Sequence, residues 1–179
     1  LFKGLSPWMQ KLPGGLIHVN IVGCALFAAI SGSSAATVAT VGKMSIPELR
    51  KRKYPEKILL GSLAGSGTLG LLIPPSIILI IYGVAVQESI AKLFIAGIIP
   101  GIMIALIFMT YVIIWSLINK KIMPKILEEY SLIEKVKRSK QLLPIIILIS
   151  AVIGSIYTGI ATATEAASLG VLGALILSY

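Results

Sequence analysis

Two short stretches of the sequence could bind a ligand through oxygen atoms that carry no charge. Residues 31–34 read Ser-Gly-Ser-Ser, and residues 65–76 contain three glycines and the pair Pro74-Pro75. Because glycine and proline interrupt helices, both stretches should combine hydroxyls with backbone carbonyls that have no helical partner. Na⁺ binds to such oxygens where helices are broken at membrane depth. We therefore expect a site for a hard monovalent cation or, as the alternative, two small-residue faces that let helices pack closely.

The other polar residues do not form a catalytic arrangement. Cys24 is the single cysteine, so no internal disulfide is expected. His18, the only histidine, lies near the end of an apolar segment and is expected to be a satisfied interfacial group, while Glu165 fits the first turn of a helix. The membrane-depth interior of the apolar segments holds no Asp, Lys or Arg, and the sequence has no metal-ligand cluster and no nucleophile beside a base. We expect neither an enzyme nor a cofactor.

Composition places these stretches in a membrane protein. The chain is 56% hydrophobic and 13% charged, with a mean hydropathy of +0.96, whereas soluble domains carry about 25% charged residues. Of sixteen Lys and Arg residues, six lie in residues 43–57 and seven in residues 120–140. Short basic loops between apolar segments are typical of the cytoplasmic side of a membrane and contact anionic lipid headgroups, so no nucleic-acid partner is expected.

The elements that position the two stretches are an apolar segment, residues 16–41, and a longer one, residues 56–86. The first is interrupted by small and polar residues at 31–34, which indicates either a re-entrant hairpin or a span with a small-residue packing face. A hairpin would leave Lys3 and Lys11 on the same side as the two basic loops, so the charge distribution favours it mildly. The second segment should be two half-helices joined by an unwound piece at the prolines.

The rest of the chain is predicted to be helical as well. The predicted segments are an interfacial helix or span end at 1–15, a cytoplasmic loop at 42–55 with a short helix capped by Ser45, a span at 93–119, a cytoplasmic amphipathic surface helix at 120–140, a span at 142–161, and the start of a further span at 168–179 after a helix start with Thr164 as cap. The predicted fold class is an all-α polytopic membrane protein with a re-entrant hairpin and a discontinuous helix.

Several motifs, in order along the chain, resemble the large membrane subunit of tripartite ATP-independent periplasmic (TRAP) transporters. Those motifs are Gly14-Gly15-Leu16, Ser31-Gly32-Ser33-Ser34, Gly67-Thr68-Leu69-Gly70 with Pro74-Pro75-Ser76, residues 93–101 ending in Pro100-Gly101, and Thr162-Ala163-Thr164-Glu165, where Ala163 replaces the usual proline. The resemblance implies a Na⁺-coupled secondary transporter of the elevator type in the bacterial cytoplasmic (inner) membrane. It also implies a small membrane subunit and an extracytoplasmic binding protein that delivers an organic anion, commonly a carboxylate.

The resemblance further implies which residues hold the coupling ion. The expected Na⁺ ligands are Ser31 and Ser33 together with backbone carbonyls around Gly70, Ile73 and Pro75, and the substrate or gate lies near Gly32, Ser34, Pro74 and Ser76. The family's subunit is roughly twice as long and has a second, inverted half, so this chain is expected to supply one half of the carrier. Two other functions stay open, namely another inverted-repeat ion-coupled carrier without a binding protein and a non-transporting membrane scaffold.

Overall fold

The chain folds into α-helices in a computed structural model that describes residues 1–124 and 130–178. Within these ranges the helices are α1 (Phe2–Met9), α2 (Ile17–Ser31), α3 (Ser34–Lys51), α4 (Glu56–Gly67), α5 (Ile77–Val86), α6 (Ile90–Ile118), α7 (Leu132–Ser139), α8 (Leu143–Tyr157) and α9 (Ala163–Ser178). Short 3₁₀ turns occur at Thr68–Leu71, Lys120–Ile122 and Lys140–Leu142. No strand occurs in the described ranges, in agreement with the predicted all-α class.

The first helix break separates α2 from α3. Gly32 has φ 58° and ψ 11°, a left-handed conformation that glycine adopts without steric cost. Ser33 is extended, and its hydroxyl accepts a hydrogen bond from the Ala36 N–H at 3.4 Å, which caps α3. Because α2 and α3 also pack against each other, residues 17–51 form a helical hairpin that turns at Gly32 and Ser33. How this hairpin lies in the membrane stays a prediction.

Helix α3 is longer than predicted, and Ser45 does not begin a helix. The sequence predicted a loop at 42–55 with a short helix starting at this serine, but α3 continues through Pro47 and ends at Lys51. Val41, Ser45 and Leu49 follow one another at one-turn spacing, and all three are buried. Packing of this face keeps the segment helical and overrides the local helix-start signal.

The second break lies between α4 and α5. Helix α4 gives way to the 3₁₀ turn Thr68–Leu71, and the last backbone hydrogen bond before the prolines runs from the Ile73 N–H to the Leu69 carbonyl at 2.8 Å. Pro74 and Pro75 have no N–H to continue the helix, and the peptide bond between them is cis. The chain becomes helical again at α5, so the 56–86 segment consists of two helices with an unwound piece between them.

Among the described residues, one helix is long and apolar enough to cross a membrane, namely α6 with 29 residues. Helices α7 and α8 would add a second span if the pair, bent by 52°, is taken as one. Helices α2 and α5, with residues Thr164–Ile176 of α9, are shorter apolar helices. Helix α6 begins at Ile90, three residues before the predicted start, because the Ser89 hydroxyl accepts a hydrogen bond from the Lys92 N–H at 3.5 Å.

The amphipathic helix predicted at 120–140 is only partly observable. Residues 125–129 lie outside the described residues, and the described remainder consists of the turn Lys120–Ile122, α7 and the turn that begins at Lys140. Helix α7 begins with a capping box in which the Ser131 hydroxyl and the Glu134 carboxylate each accept a backbone hydrogen bond.

The last two helices have other boundaries than predicted. Helix α8 ends at Tyr157 rather than 161, since the chain turns at Gly159, which has a φ of +71°. The cap of α9 is Thr162 rather than Thr164. The Thr162 N–H and hydroxyl donate to the Glu165 carboxylate at 2.8 Å, and the Thr162 hydroxyl accepts from the Glu165 N–H at 3.4 Å. Glu165 is thus a helix-start acid, as expected.

Helix α2 forms the centre of the packed core. Ile17 and Ile21 are fully buried against residues of α1, α4 and α6. The buried Asn20 side chain donates to the Leu59 carbonyl at 3.3 Å and to the Ser62 hydroxyl at 3.0 Å, which ties α2 to α4. Large apolar side chains on α5, α6, α8 and α9 are exposed instead, as expected of surfaces that face lipid or further membrane helices. The hairpin and the broken segment are thereby held in one packed unit.

Candidate functional site

The two helix breaks lie against each other. The Ile77 N–H, at the start of α5, donates a hydrogen bond of 3.2 Å to the carbonyl of Gly32 in the hairpin turn. This bond crosses from one unwound segment to the other and occupies a backbone donor that the first turn of α5 cannot satisfy by itself. Each break therefore supplies a hydrogen-bond partner for a backbone group of the other break, and lipid could not supply one.

Glycines permit this close approach. A Cβ on Gly32 would lie 2.5 Å from the Pro75 carbonyl oxygen, and a Cβ on Gly70 would lie 2.9 Å from the backbone C of Ser33 and N of Ser34. A Cβ on Gly67 would overlap the Val38 side chain. Since the first two contacts are with backbone atoms, no side-chain rotation could relieve them. The glycines are thus needed because backbones meet here.

The three serines of the hairpin turn have different hydrogen bonds. The Ser31 hydroxyl lies 3.0 Å from the Thr37 hydroxyl and 3.4 Å from the Ser33 carbonyl oxygen. The Ser33 hydroxyl caps α3. The Ser34 hydroxyl oxygen is buried and has no hydrogen-bond partner among the described residues, which leaves one oxygen at the contact available to a ligand.

The second break adds backbone carbonyls to this set. The carbonyl oxygens of Gly70, Ile73 and Pro75 accept no hydrogen bond from any residue in the described ranges. The Ser76 side chain is fully buried, and its hydroxyl donates to the Leu71 carbonyl at 2.8 Å, so that it closes the unwound loop on itself. Ser76 therefore holds the shape of the break, and the free carbonyls are the oxygens that remain for a cation.

Helix α6 supports the second break from behind. A Cβ on Gly97 would lie 2.7 Å from the Leu72 carbonyl oxygen and 3.8 Å from the Pro74 ring, and a Cβ on Gly101 would lie 3.0 Å from the Ile73 side chain. Two glycines one turn apart on one helix face thus receive the unwound segment. Their part in the site was not predicted from the sequence, although their four-residue spacing is a recognisable signal.

The contact between the breaks carries no ionisable side chain. The residues named above are serines, glycines, prolines, Thr37 and aliphatic residues. No group of three or more His, Cys, Asp or Glu side chains that could hold a metal ion occurs in the described part of the chain. Both α3 and α5 begin here, so their N-termini place the positive ends of two helix dipoles near the contact. The free carbonyls suit a weakly held hard cation, and the two helix N-termini favour an anionic group beside it.

The structure brings together most, but not all, of the predicted site residues. Ser33, Ser34, Gly32, Gly70 and Pro75 meet at the contact. Ser31 is linked to it through Ser33. The described contacts of the Ile73 and Pro74 side chains are with α6, and the Ser76 hydroxyl turns back to Leu71.

Thr37 was not predicted as a site residue. Its side chain is fully buried, and its hydroxyl lies 3.0 Å from that of Ser31. A threonine one helical turn after the Ser33-Ser34 pair is the sequence signal that could have revealed it.

His18 is not one of the residues at the contact between the two breaks. The ring nitrogen Nε2 lies 2.8 Å from the Pro13 carbonyl oxygen, and the side chain is fully buried. The other ring nitrogen, Nδ1, is buried and has no hydrogen-bond partner among the described residues. The expectation of a satisfied interfacial histidine is therefore met for one nitrogen only, and the side chain lies in the core rather than at an interface.

Broken helices that pack against each other and leave backbone oxygens unpaired, in a chain with exposed apolar helices, are typical of membrane transport proteins with discontinuous helices. Residues 8–179 match the family model described as "Tripartite ATP-independent periplasmic transporter, DctM component". The chain belongs to this family, the large permease component of TRAP transporters.

Several named relatives are similar over most of the chain. The chain is 41% identical over 157 residues to the C4-dicarboxylate TRAP transporter large permease protein DctM of Pseudomonas aeruginosa, covering 87% of this chain and 36% of that protein. It is 37% identical over 174 residues to the isethionate TRAP transporter permease protein DctMQ of Oleidesulfovibrio alaskensis, covering 94% and 26%. It is 38% identical over 183 residues to the ectoine/5-hydroxyectoine TRAP transporter large permease protein UehC of Ruegeria pomeroyi, covering 99% and 41%. The chain thus spans well under half the length of these relatives.

Proposed function

We propose that this chain forms one half of the membrane subunit of a Na⁺-coupled secondary transporter that imports an organic anion. The observation that carries the proposal is the contact of two helix breaks, Gly32–Ser34 of the hairpin against Gly70 and Pro75, with uncharged oxygens on both sides. Neutral oxygens bind Na⁺ more weakly than carboxylates would, so the ion can be released readily. A coupling ion requires such release.

The Na⁺ ion would be held between the hairpin turn and the second break. The hydroxyls of Ser31 and Ser33 and the carbonyls of Gly70, Ile73 and Pro75 are the proposed ligands, and the unpartnered Ser34 hydroxyl lies beside them. Because ligands come from both segments, binding of Na⁺ would fix the hairpin turn relative to the broken helix. The ion would thereby prepare the neighbouring substrate site formed near Gly32 and Ser76.

The substrate is proposed to be an organic anion, most simply a carboxylate. Two relatives are named for C4-dicarboxylate and isethionate, both of which are anions, and a third for ectoine. The N-termini of α3 and α5 would offer backbone N–H groups to an anionic group held next to the Na⁺ ion. In this arrangement the cation and the two helix N-termini attract the anion together.

Two protein partners are proposed from the family. A tripartite transporter requires a small membrane subunit and an extracytoplasmic binding protein, and the relative named DctMQ is consistent with a large and a small subunit joined in one chain. The basic segments 43–57 and 120–140 would face the cytoplasm of a bacterial cell in its inner membrane. The hairpin and the broken helix, which pack as one unit, would then move together in an elevator motion.

Substitution of Ser31 and Ser33 tests this function in the complete transporter. The double variant Ser31→Ala/Ser33→Ala, reconstituted with its small subunit and binding protein, should need at least about thirtyfold more Na⁺ for half-maximal uptake, because each of the two lost oxygen ligands costs about 1–2 kcal/mol. The matched control is Ser155→Ala/Ser168→Ala, whose hydroxyls bond to backbone carbonyls within α8 and α9. Unchanged Na⁺ activation in the first variant would refute the ion site.

The same reconstituted system separates the alternatives. Uptake that needs both a Na⁺ gradient and the binding protein supports the proposal. Na⁺-driven uptake without the binding protein would indicate another ion-coupled carrier, and absence of uptake with every component present would indicate a scaffold. Membership in the TRAP family favours the first result.

A further inference from the structure

A groove on the outer surface of the helices runs between α4 and α6, away from the two breaks. It encloses about 340 Å³ and is lined mainly by apolar atoms of α2, α4 and α6, among them Ile21, Ile107 and Phe108. The one serine in its lining, Ser62, already accepts a hydrogen bond from Asn20 and donates one to the Leu59 carbonyl at 2.9 Å. The lining also includes the exposed Tyr111, but its remaining described residues are glycines and apolar side chains, so the groove suits a hydrocarbon chain.

Two glycines of α4 keep this groove open. A Cβ on Gly61 would meet no atom within 4 Å, and a Cβ on Gly65 would lie 3.7 Å from the Phe108 ring. Neither glycine is required by a close backbone approach, unlike Gly70 in the segment that follows. The missing side chains leave space along the helix rather than a contact between helices.

A second cavity, of about 410 Å³, lies at the C-terminal end of α6. Lys11 and Lys120 line it from the α1–α2 connection and from the turn after α6, together with Tyr54 and Ser116. No Asp or Glu is among its described lining residues. Two ammonium groups without an acidic partner in the described lining attract an anion, and compact lysine charges suit phosphate.

The groove and the basic cavity lie in line along α6. Phe108 and Val112 line the groove and Ser116 lines the cavity, at one-turn spacing along α6, and Lys120 follows in the turn after the helix. At 1.5 Å per residue, the helical part of this path, from Phe108 to Ser116, is about 12 Å long. An apolar groove that ends in a basic pocket beside a short basic loop has the dimensions and charge pattern of a phospholipid at the membrane boundary.

We propose that this surface is a binding site for an anionic phospholipid. One acyl chain lies in the groove along α4 and α6, and the headgroup phosphate is held by the ammonium groups of Lys11 and Lys120. The lipid thereby links the α1–α2 connection to the end of α6, two segments that are otherwise joined by side-chain packing such as that of Val112 against Gly14.

Native mass spectrometry of the complete transporter, titrated with phosphatidylglycerol or phosphatidylcholine, tests the site. In Lys11→Ala/Lys120→Ala the affinity for retained phosphatidylglycerol should fall about thirtyfold, with little change for phosphatidylcholine, because each lysine contributes to anion attraction near the surface. Lys11→Arg/Lys120→Arg should keep the binding. The matched control, Lys51→Ala/Lys57→Ala, removes two exposed lysines of the other basic loop and should behave as the unaltered protein.

The groove is tested separately by filling it. Gly61→Leu should displace the acyl chain and reduce retention of phosphatidylglycerol at least tenfold. Gly154→Leu, at another glycine whose Cβ meets no atom within 4 Å, should not. Inorganic phosphate at equal concentration should not compete, since it has no acyl chain.

Several results would overturn the lipid proposal. They are equal phosphatidylglycerol retention in the lysine variants and their control, equal loss with phosphatidylcholine, displacement of the lipid by free phosphate, or loss of the small membrane subunit rather than of lipid in Gly61→Leu. The last result would identify the groove as a protein interface.

Discussion

Gly70 provides a test of whether the close approach of the two breaks is needed for Na⁺ binding. A Cβ at this position would lie 2.9 Å from backbone atoms of Ser33 and Ser34, whereas ordinary contact begins at 3.4 Å. These backbone atoms cannot rotate away, so Gly70→Ala must move the two segments apart by about 0.5 Å.

The expected cost follows from two opposing effects. Overpacking a close contact costs about 1–3 kcal/mol. Alanine in a helical turn recovers at most about 1 kcal/mol relative to glycine. If the alanine gain is recovered in full, the net destabilisation should be about 0–2 kcal/mol. Because the proposed ligands lie on both sides of the contact, the same displacement should raise the Na⁺ concentration for half-maximal stabilisation about tenfold.

The assay is thermal unfolding of the complete transporter in a NaCl series, with KCl keeping the ionic strength constant. Gly154→Ala is the control, since a Cβ there meets no atom within 4 Å and the residue lies in α8. The reasoning is refuted if Gly70→Ala lowers the melting temperature while the Na⁺ half-maximum stays at that of the control. In that case the contact would serve packing alone.

Three further predictions concern the frame of the site. Ser76→Ala should lower the melting temperature by removing the buried hydrogen bond to the Leu71 carbonyl, at a cost of about 1–3 kcal/mol, and an unchanged melting temperature would contradict the role given to this hydroxyl. Burial raises the pKa of the Tyr54 phenol in the folded protein, so as the pH rises the unfolded chain ionises first. The free energy of unfolding should therefore fall above pH 10. Tyr54→Phe should remove that part of the pH dependence, although it also loses the hydrogen bond from the Leu16 N–H. A cysteine placed in residues 50–53 should be labelled by an impermeant thiol reagent only from the cytoplasmic side, and periplasmic labelling would overturn the topology.

The two breaks could be predicted from the sequence because their causes are local. Gly32 favours a left-handed turn and Pro74-Pro75 removes two backbone donors, whatever surrounds them. That the two breaks would be partners followed from a general requirement, since unpaired backbone groups cannot be left to lipid. The motifs in order along the chain then led to the family.

The features that sequence did not reveal depend on packing between distant segments. Ser45 looks like a helix start, but burial of its helix face carries α3 past it. The support of the second break by Gly97 and Gly101 depends on where α6 lies, and Thr37 joins the site only because α3 begins at Ser34. Local signals fix where a helix breaks, but not which surfaces meet there.

The most direct measurement for the central claim is a structure of the complete transporter determined in Na⁺ and again in K⁺ or choline. The account predicts density for an ion between the hairpin turn and the second break, bounded by the Ser31 and Ser33 hydroxyls and the Gly70 and Pro75 carbonyls, in Na⁺ only. The account would be contradicted by a structure of the active transporter, saturated with Na⁺, that shows no ion at this contact. It would also be contradicted if the Na⁺ were bound by other residues of this chain.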